Sequence, residues 1–230
     1  AAKLREFDAL GTLLLGVALA AYALGVTRGP RGFGSSHLGL LALAAATLAW
    51  FVATQRSSRA PLIRLDLLAA PALRLSLAMT LLVATVMMAT LVVGPFYLAR
   101  ALHLGPAAIG LTLSIGPVAA ALTAFPAGRL VDRIGTARAT LLGLAAAALG
   151  CAALVFLPRE LGLAGYLVPV AAMTSGYSLF QTANNTAVMQ LAPPDQRGVI
   201  SGLLNLARNL GLVTGASLLG AIFTLAADDI

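Results

Sequence analysis

Seven long apolar runs follow one another along this chain with only short polar breaks, a pattern that no water-soluble fold accommodates. They lie at about 9–27, 38–54, 73–99, 107–127, 136–157, 162–190 and 199–224. Each is long enough to cross a bilayer as an α-helix, which takes roughly 17 to 25 mostly apolar residues. Charged residues make up 10% of the sequence and hydrophobic ones 60%. A soluble domain would carry about a quarter charged residues, so this composition cannot coat a globule in water. The runs are continuous and do not alternate over strands of about ten residues, which excludes a transmembrane β-barrel. The chain reads as an all-α, polytopic membrane protein of seven transmembrane helices.

Charge sets its orientation. Alternating the spans across the membrane places Lys3, Arg5, Arg56, Arg59, Arg64, Arg74, Arg129, Arg133, Arg138 and Arg197 on one side and Arg28, Arg31, Arg100 and Arg159 on the other. Basic loops stay inside, so Ala1 is expected in the cytoplasm and Ile230 outside a cell membrane. The net charge of +7 is spread over loops and not gathered on one face, so nucleic acid is not an expected partner. The bilayer is. The opening AAKLREF has neither an initiator Met nor a signal-peptide core, and the chain is expected to begin inside a longer polypeptide. Cys151 is the single cysteine, so no disulfide within the chain and no cysteine-rich metal site is possible.

Polar side chains are distributed unevenly among the spans. The first two hold little beyond Tyr22, Thr47 and Trp50, and the fifth, TLLGLAAAALGCAALVFL, is featureless. In the sixth, Tyr177, Gln181, Asn184 and Asn185 recur at i, i+4, i+7 and i+8 and share one stripe. The seventh carries Asn205, Arg208 and Asn209, and the third carries Met79, Thr80, Thr85, Met87, Met88 and Thr90. Such groups are expensive in hydrocarbon and mark either hydrogen bonding between packed helices or the wall of a cavity. The substrate-cavity residues expected on the second reading are Tyr177, Gln181, Asn184, Asn185, Asn205, Asn209 and Met87. Arg208 is an intramembrane charge, with snorkelling or a gating role as its two readings. Gly211 and Gly215 form a small-xxx-small face. Gly94-Pro95 and Gly116-Pro117 are expected to interrupt the third and fourth spans. Gln55 to Pro71 is the longest break and the expected module boundary.

Between the fourth and fifth spans the sequence reads GRLVDRIGTAR. This resembles the cytoplasmic loop signature of the major facilitator superfamily, G-x-L-x-D-R-x-G-R-[RK], departing from it at Thr136, where the pattern often has a basic residue. The expected gating loop is therefore Gly128, Arg129, Asp132, Arg133, Gly135 and Arg138. In physical terms Asp132 can cap a helix N-terminus or pair with Arg133 or Arg138. The opening FDALGTLLLGVALAAYALGVTRGPRGFG, the PLIRLDLL loop and the segment APPDQRGVISGLLNLARNLGLVTGASLLGAIF are similar to fourteen-helix drug:proton antiporters, the EmrB/QacA-like branch.

That resemblance implies a partial major facilitator fold: an inserted helix pair at 1–60, a cytoplasmic linker at 61–72, and five helices of a C-terminal six-helix half at 73–230. It implies alternating access and proton-coupled expulsion of amphipathic or cationic small molecules, with the missing N-terminal half of the same transporter as partner. No cofactor is implied; the proton gradient supplies the energy. No Asp or Glu is expected within the membrane core, Asp8 standing at the start of the first helix and the others in loops or at the terminus, so a coupling carboxylate would come from the missing half. The alternatives are a transporter of the same fold for a lipid, siderophore or metabolite, and a non-transporting seven-helix protein. A retinal protein is excluded because Lys3 is the only lysine. An enzyme is not expected, since His37 and His103 are placed in external loops and no catalytic or metal constellation falls within the spans.

Overall fold

The computed structural model describes residues 8–27, 35–57, 68–156 and 161–227. They form α1 (Ala9–Thr27), α2 (Ser35–Ser57), α3 (Pro71–Arg100), α4 (Pro106–Leu113), α5 (Ile115–Ile134), α6 (Thr136–Phe156), α7 (Ala164–Leu191) and α8 (Arg197–Ala227), with a short 3₁₀ turn at Pro194–Gln196. α4 and α5 together make the fourth span, so the seven predicted spans are all helical. Five of the spans are long and apolar enough to cross a bilayer by length and composition; α7 and α8, which carry the Asn, Gln and Arg side chains, are the other two. Large apolar side chains such as Leu13, Leu122, Phe125, Leu149 and Phe156 point outward. In a helical protein of this composition those faces meet lipid.

Several boundaries differ from expectation. α2 runs three residues further at each end than its apolar run, because His37 and Gln55 are bound into the helix pair. His37 therefore lies in the first turn of α2, not in a loop. The GRLVDRIGTAR segment is not a loop either: residues 128–134 complete α5, Gly135 alone breaks the chain, and α6 starts at Thr136. Asp132 sits in the last turn of α5, inside a helix and not in a loop. Gly94-Pro95 leaves α3 continuous. Pro117 does coincide with a break, at Ser114, since its nitrogen has no hydrogen to return to the Leu113 carbonyl.

The residues divide into two compact units, Ala1–Met88 with Asn205–Ile230, and Ala89–Leu204. In the first, α1 and α2 form an antiparallel pair tied by polar contacts at both ends. At one end Asp8 Oδ1 accepts the Gly11 N–H at 2.8 Å, the geometry of an N-cap, while Oδ2 accepts from Gln55 Nε2 at 2.6 Å. At the other end His37 Nδ1 lies 3.0 Å from the Gly25 carbonyl oxygen. Tyr22 hydrogen-bonds Thr214 and links α1 to α8. The glycine face read from the sequence is used: Gly211 rests on the Leu81 carbonyl and Ala84, and Gly215 on the Thr85 carbonyl and Met88, where no β-carbon fits.

In the second unit α7 packs most extensively on α6 and also along α5. The α6 face is Ala139, Gly143, Ala147 and Gly150, all buried and spaced i, i+4, i+8 and i+11. The featureless helix is thus a seam of missing side chains. A β-carbon on Gly150 would lie 2.7 Å from the Met173 nitrogen, and one on Gly176 2.5 Å from the Ala147 nitrogen. Met173 and Phe180 fill the space beside that backbone contact, each 1% exposed. Below it, Val131, Ala139 and Ala183 close the core around the Gly135 turn. Gly135 has φ 83° and ψ 160°, a region open essentially to glycine alone.

Two outcomes follow for unfolding of the full-length protein in detergent. Gly176→Ala should destabilise it by about 1–3 kcal/mol through overpacking, while Gly110→Ala, where a β-carbon meets open space, should be neutral or gain up to about 1 kcal/mol. Gly135→Ala should cost about 1–3 kcal/mol in backbone strain, and Gly128→Ala, inside α5 with nothing near its β-position, should not.

Candidate functional site

Hydroxyls and amides meet hydrocarbon on different terms. A Thr or Ser in a helix can give its single hydrogen to the carbonyl one turn back, and many of the described hydroxyls do so: Thr47 to Leu43, Thr80 to Ser76, Thr85 to Leu81, Thr112 to Ala108, Thr182 to Ser178, Thr186 to Thr182, Thr214 to Leu210. An amide has two N–H donors besides its acceptor oxygen and cannot satisfy them that way. The Asn and Gln side chains therefore carry the site.

On α7 the row starts on the packed face, at Asn184, and runs out from it through Tyr177, Gln181 and Asn185. Met173, Gly176, Phe180 and Ala183 turn toward α6, and Ser175 turns toward α5. Asn184, 2% exposed, is buried, while Tyr177, Gln181 and Asn185 are half-buried. Burying an amide without partners would cost several kcal/mol, and Tyr177, Gln181 and Asn184 each have a partner in the structure. The four expected residues of the sixth span thus sit on one helix of the second unit, split between a buried amide and a half-exposed row.

The other expected residues belong to the first unit. On α8 the packed face is Ala207, Gly211 and Gly215, and Asn205 and Asn209 point away from it and are exposed. Arg208 is half-buried with a partner of its own. It lies eleven residues into a helix that starts at Arg197, roughly 16 Å along the axis. Met87 is half-buried on α3 and also has a partner.

The motif residues gather at the α5–α6 turn. Arg129, Asp132, Arg133 and Arg138 are all exposed. The Arg129 guanidinium stacks over the Phe125 ring, 4.3 Å from its centroid and one turn back on the same helix. Such a contact is worth about 0.5–1 kcal/mol at an exposed position and holds the charge against an apolar surface. The Asp132 carboxylate lies at the negative end of the α5 dipole, an unfavourable place for an anion by about 0.3–1 kcal/mol, so it is not there to stabilise the helix.

Some polar contacts escaped the sequence reading. Thr123 Oγ1 lies 3.0 Å from Ser175 Oγ and joins α5 to α7. Ser175, Ser178, Thr182 and Thr186 recur at i, i+3, i+7 and i+11, so the periodicity that picked out Tyr177 and its neighbours would have found this row too. The Asp8–Gln55 bond spans 47 residues, and no local pattern announces it. Cys151 lies beside Met173, with Sγ 3.3 Å from Sδ.

The family model of the Major Facilitator Superfamily matches residues 7–216. The uncharacterized transporter YebQ of Escherichia coli K12 is 32% identical over 180 residues, covering 78% of this chain and 39% of YebQ. The multidrug resistance protein Stp of Mycobacterium tuberculosis is 30% identical over 222 residues, covering 96% of this chain and 41% of Stp. The chain spans about two-fifths of the length of these curated relatives. The helix-to-helix glycine seams, the turn signature and the family match agree: this multi-pass membrane chain belongs to the Major Facilitator Superfamily, a family of transporters and not of enzymes.

Proposed function

We propose that the chain is part of a proton-coupled efflux transporter that expels amphipathic or cationic small molecules by alternating access. The observation that carries this reading is that the amide side chains of the spans are concentrated on two helices, with Asn184 buried on α7 in one unit and Asn205 and Asn209 exposed on α8 in the other. The relative named as a multidrug resistance protein supports the substrate class. Tyr177, Gln181, Asn184, Asn185, Asn205, Asn209 and Met87 are the residues proposed to face substrate, and Arg208 the charge proposed to be felt in the cavity.

On this reading residues 1–60 are an inserted helix pair, 61–72 a linker, and 73–230 five helices of a six-helix half. The excess of arginine on one set of loops supports a cytoplasmic Ala1 and an external Ile230 in a cell membrane. No acid lies at mid-span among the described residues: Asp8 caps α1, Asp132 ends α5 and Asp195 precedes α8. A coupling carboxylate then comes from the other half of the transporter.

The test is efflux of a cationic amphipathic dye from vesicles holding the full-length protein under an imposed proton gradient. Dye should leave against its gradient and stop when a protonophore is added; gradient-independent efflux removes proton coupling. Transport of a lipid, siderophore or metabolite with no dye movement selects the alternative solute class. In that assay Gln181→Ala should weaken apparent substrate affinity about fivefold, the equivalent of one hydrogen bond of about 1 kcal/mol. Asp132→Asn should lower the maximal rate more than the affinity, and an unchanged rate would remove the turn from the gating mechanism.

A further inference from the structure

Two helices of the second unit turn an apolar row outward, and both rows end at the same corner. On α5, Val118, Leu122, Phe125 and Arg129 recur at i, i+4, i+7 and i+11, all exposed, on the side away from the buried Ala127 and Val131. On α6, Arg138, Leu142, Ala145 and Leu149 have the same spacing and are exposed as well. Each row is apolar along the span and finishes in an arginine beside the Gly135 turn. Arg133, one turn beyond Arg129, adds a third exposed guanidinium. Val131 and Ala139 share one buried cluster beneath the turn, which keeps the two helix ends together.

Asp132 is the only acid in the GRLVDRIGTAR segment, so the segment carries a net charge of +2. Among the described residues no ion pair joins Asp132 to any of the three arginines. Arg129 is drawn along the helix and not out into water: its guanidinium lies over the Phe125 ring, 4.3 Å from the centroid. Phe125 belongs to the apolar row, so the charge is held where hydrocarbon gives way to headgroups. A guanidinium offers a planar fork of N–H donors that matches a phosphate. Cations alone would suit any anion. The apolar rows choose among anions, because a soluble one gains nothing from Leu122 or Leu149, whereas a phospholipid can lay its acyl chains on them while its phosphate reaches the arginines.

We propose that the α5–α6 corner binds the headgroup of an anionic phospholipid. Arg129 and Arg138 hold the phosphate, Arg133 adds attraction, and the acyl chains lie on the Val118–Phe125 and Leu142–Leu149 rows. The site is separate from the amide side chains of α7 and α8, and it requires only that the chain spans a bilayer, not that it exports a cation.

The experiment is a lipid titration of the full-length protein in detergent, read by native mass spectrometry as the first lipid bound and in parallel as the shift in unfolding temperature. Dioleoyl phosphatidylglycerol should bind at least about tenfold more tightly than dioleoyl phosphatidylcholine, which has the same chains and a neutral headgroup. Arg129→Gln and Arg138→Gln should each weaken phosphatidylglycerol binding about fivefold, and the two together about twentyfold. Arg100→Gln removes an exposed charge at the far end of α3 and should change it by less than about twofold. Phe125→Leu keeps an apolar surface but removes the ring beneath the guanidinium, and affinity should fall about twofold to threefold. Arg129→Lys with Arg138→Lys keeps both charges and should recover most of the affinity lost in the double Gln variant, which separates loss of the site from loss of the fold. Equal binding of the two lipids, or native-like binding by the double Gln variant, overturns the proposal. So does displacement of the lipid by millimolar inorganic phosphate, which would show a site for free anions. An absence of bound phosphatidylglycerol, with Arg129→Gln lowering the unfolding temperature of the lipid-free protein, overturns it in favour of a carboxylate from the rest of the transporter.

Discussion

Hydrocarbon supplies no hydrogen bonds, and the rest of this structure follows from where each polar group finds one. Helices absorb the backbone groups, and Thr and Ser absorb themselves by bonding the carbonyl a turn back, as Thr80 and Thr112 do. What remains includes groups that a single helix cannot satisfy: the carboxylate of Asp8, the amides of Gln55, Gln181 and Asn184, and the carbonyls one turn before Pro95, Pro117, Pro126 and Pro169. Packing between helices gains nothing from the hydrophobic effect in lipid, so it rests on close approach, and the glycine seams of α6–α7 and α3–α8 provide that.

The spans were legible because their signal is additive: about twenty apolar residues outweigh any local ambiguity. Their ends were not. α2 extends beyond its apolar run because Gln55 is bonded across the pair, and α5 continues through GRLVDRI because charged residues continue a helix as readily as apolar ones do once it leaves lipid. The glycine face at Gly211 and Gly215 stood out against larger neighbours, whereas Gly143, Ala147 and Gly150 were hidden in a run of alanines. Featureless to a search for polar groups, that run is the densest contact in its unit.

Of the site, the residue types were legible and their depth was not. Periodicity put Tyr177, Gln181, Asn184 and Asn185 on one stripe, but only packing against α5 and α6 decides that Asn184 is buried and Gln181 half-open. Asn205 and Asn209 flank Arg208 in sequence and differ from it in exposure for the same reason: α8 turns its small residues, Ala207, Gly211 and Gly215, toward its neighbours. The hydroxyl bridge between Thr123 and Ser175 involves two residues that are individually unremarkable.

The single-residue joint at Gly135 has a mechanical meaning. Longer connections act as slack, letting one rod turn while the next stays still; here the two rods are separated by one α-carbon, about 3.8 Å from each neighbour. The Gly135 N–H bonds back to Val131 and its carbonyl accepts from Ala139, so the joint is stitched to both rods at once. On the gating reading, a displacement of α5 at Arg129 or Arg133 has only this one residue in which to be absorbed before it reaches α6 and, through the glycine seam, α7.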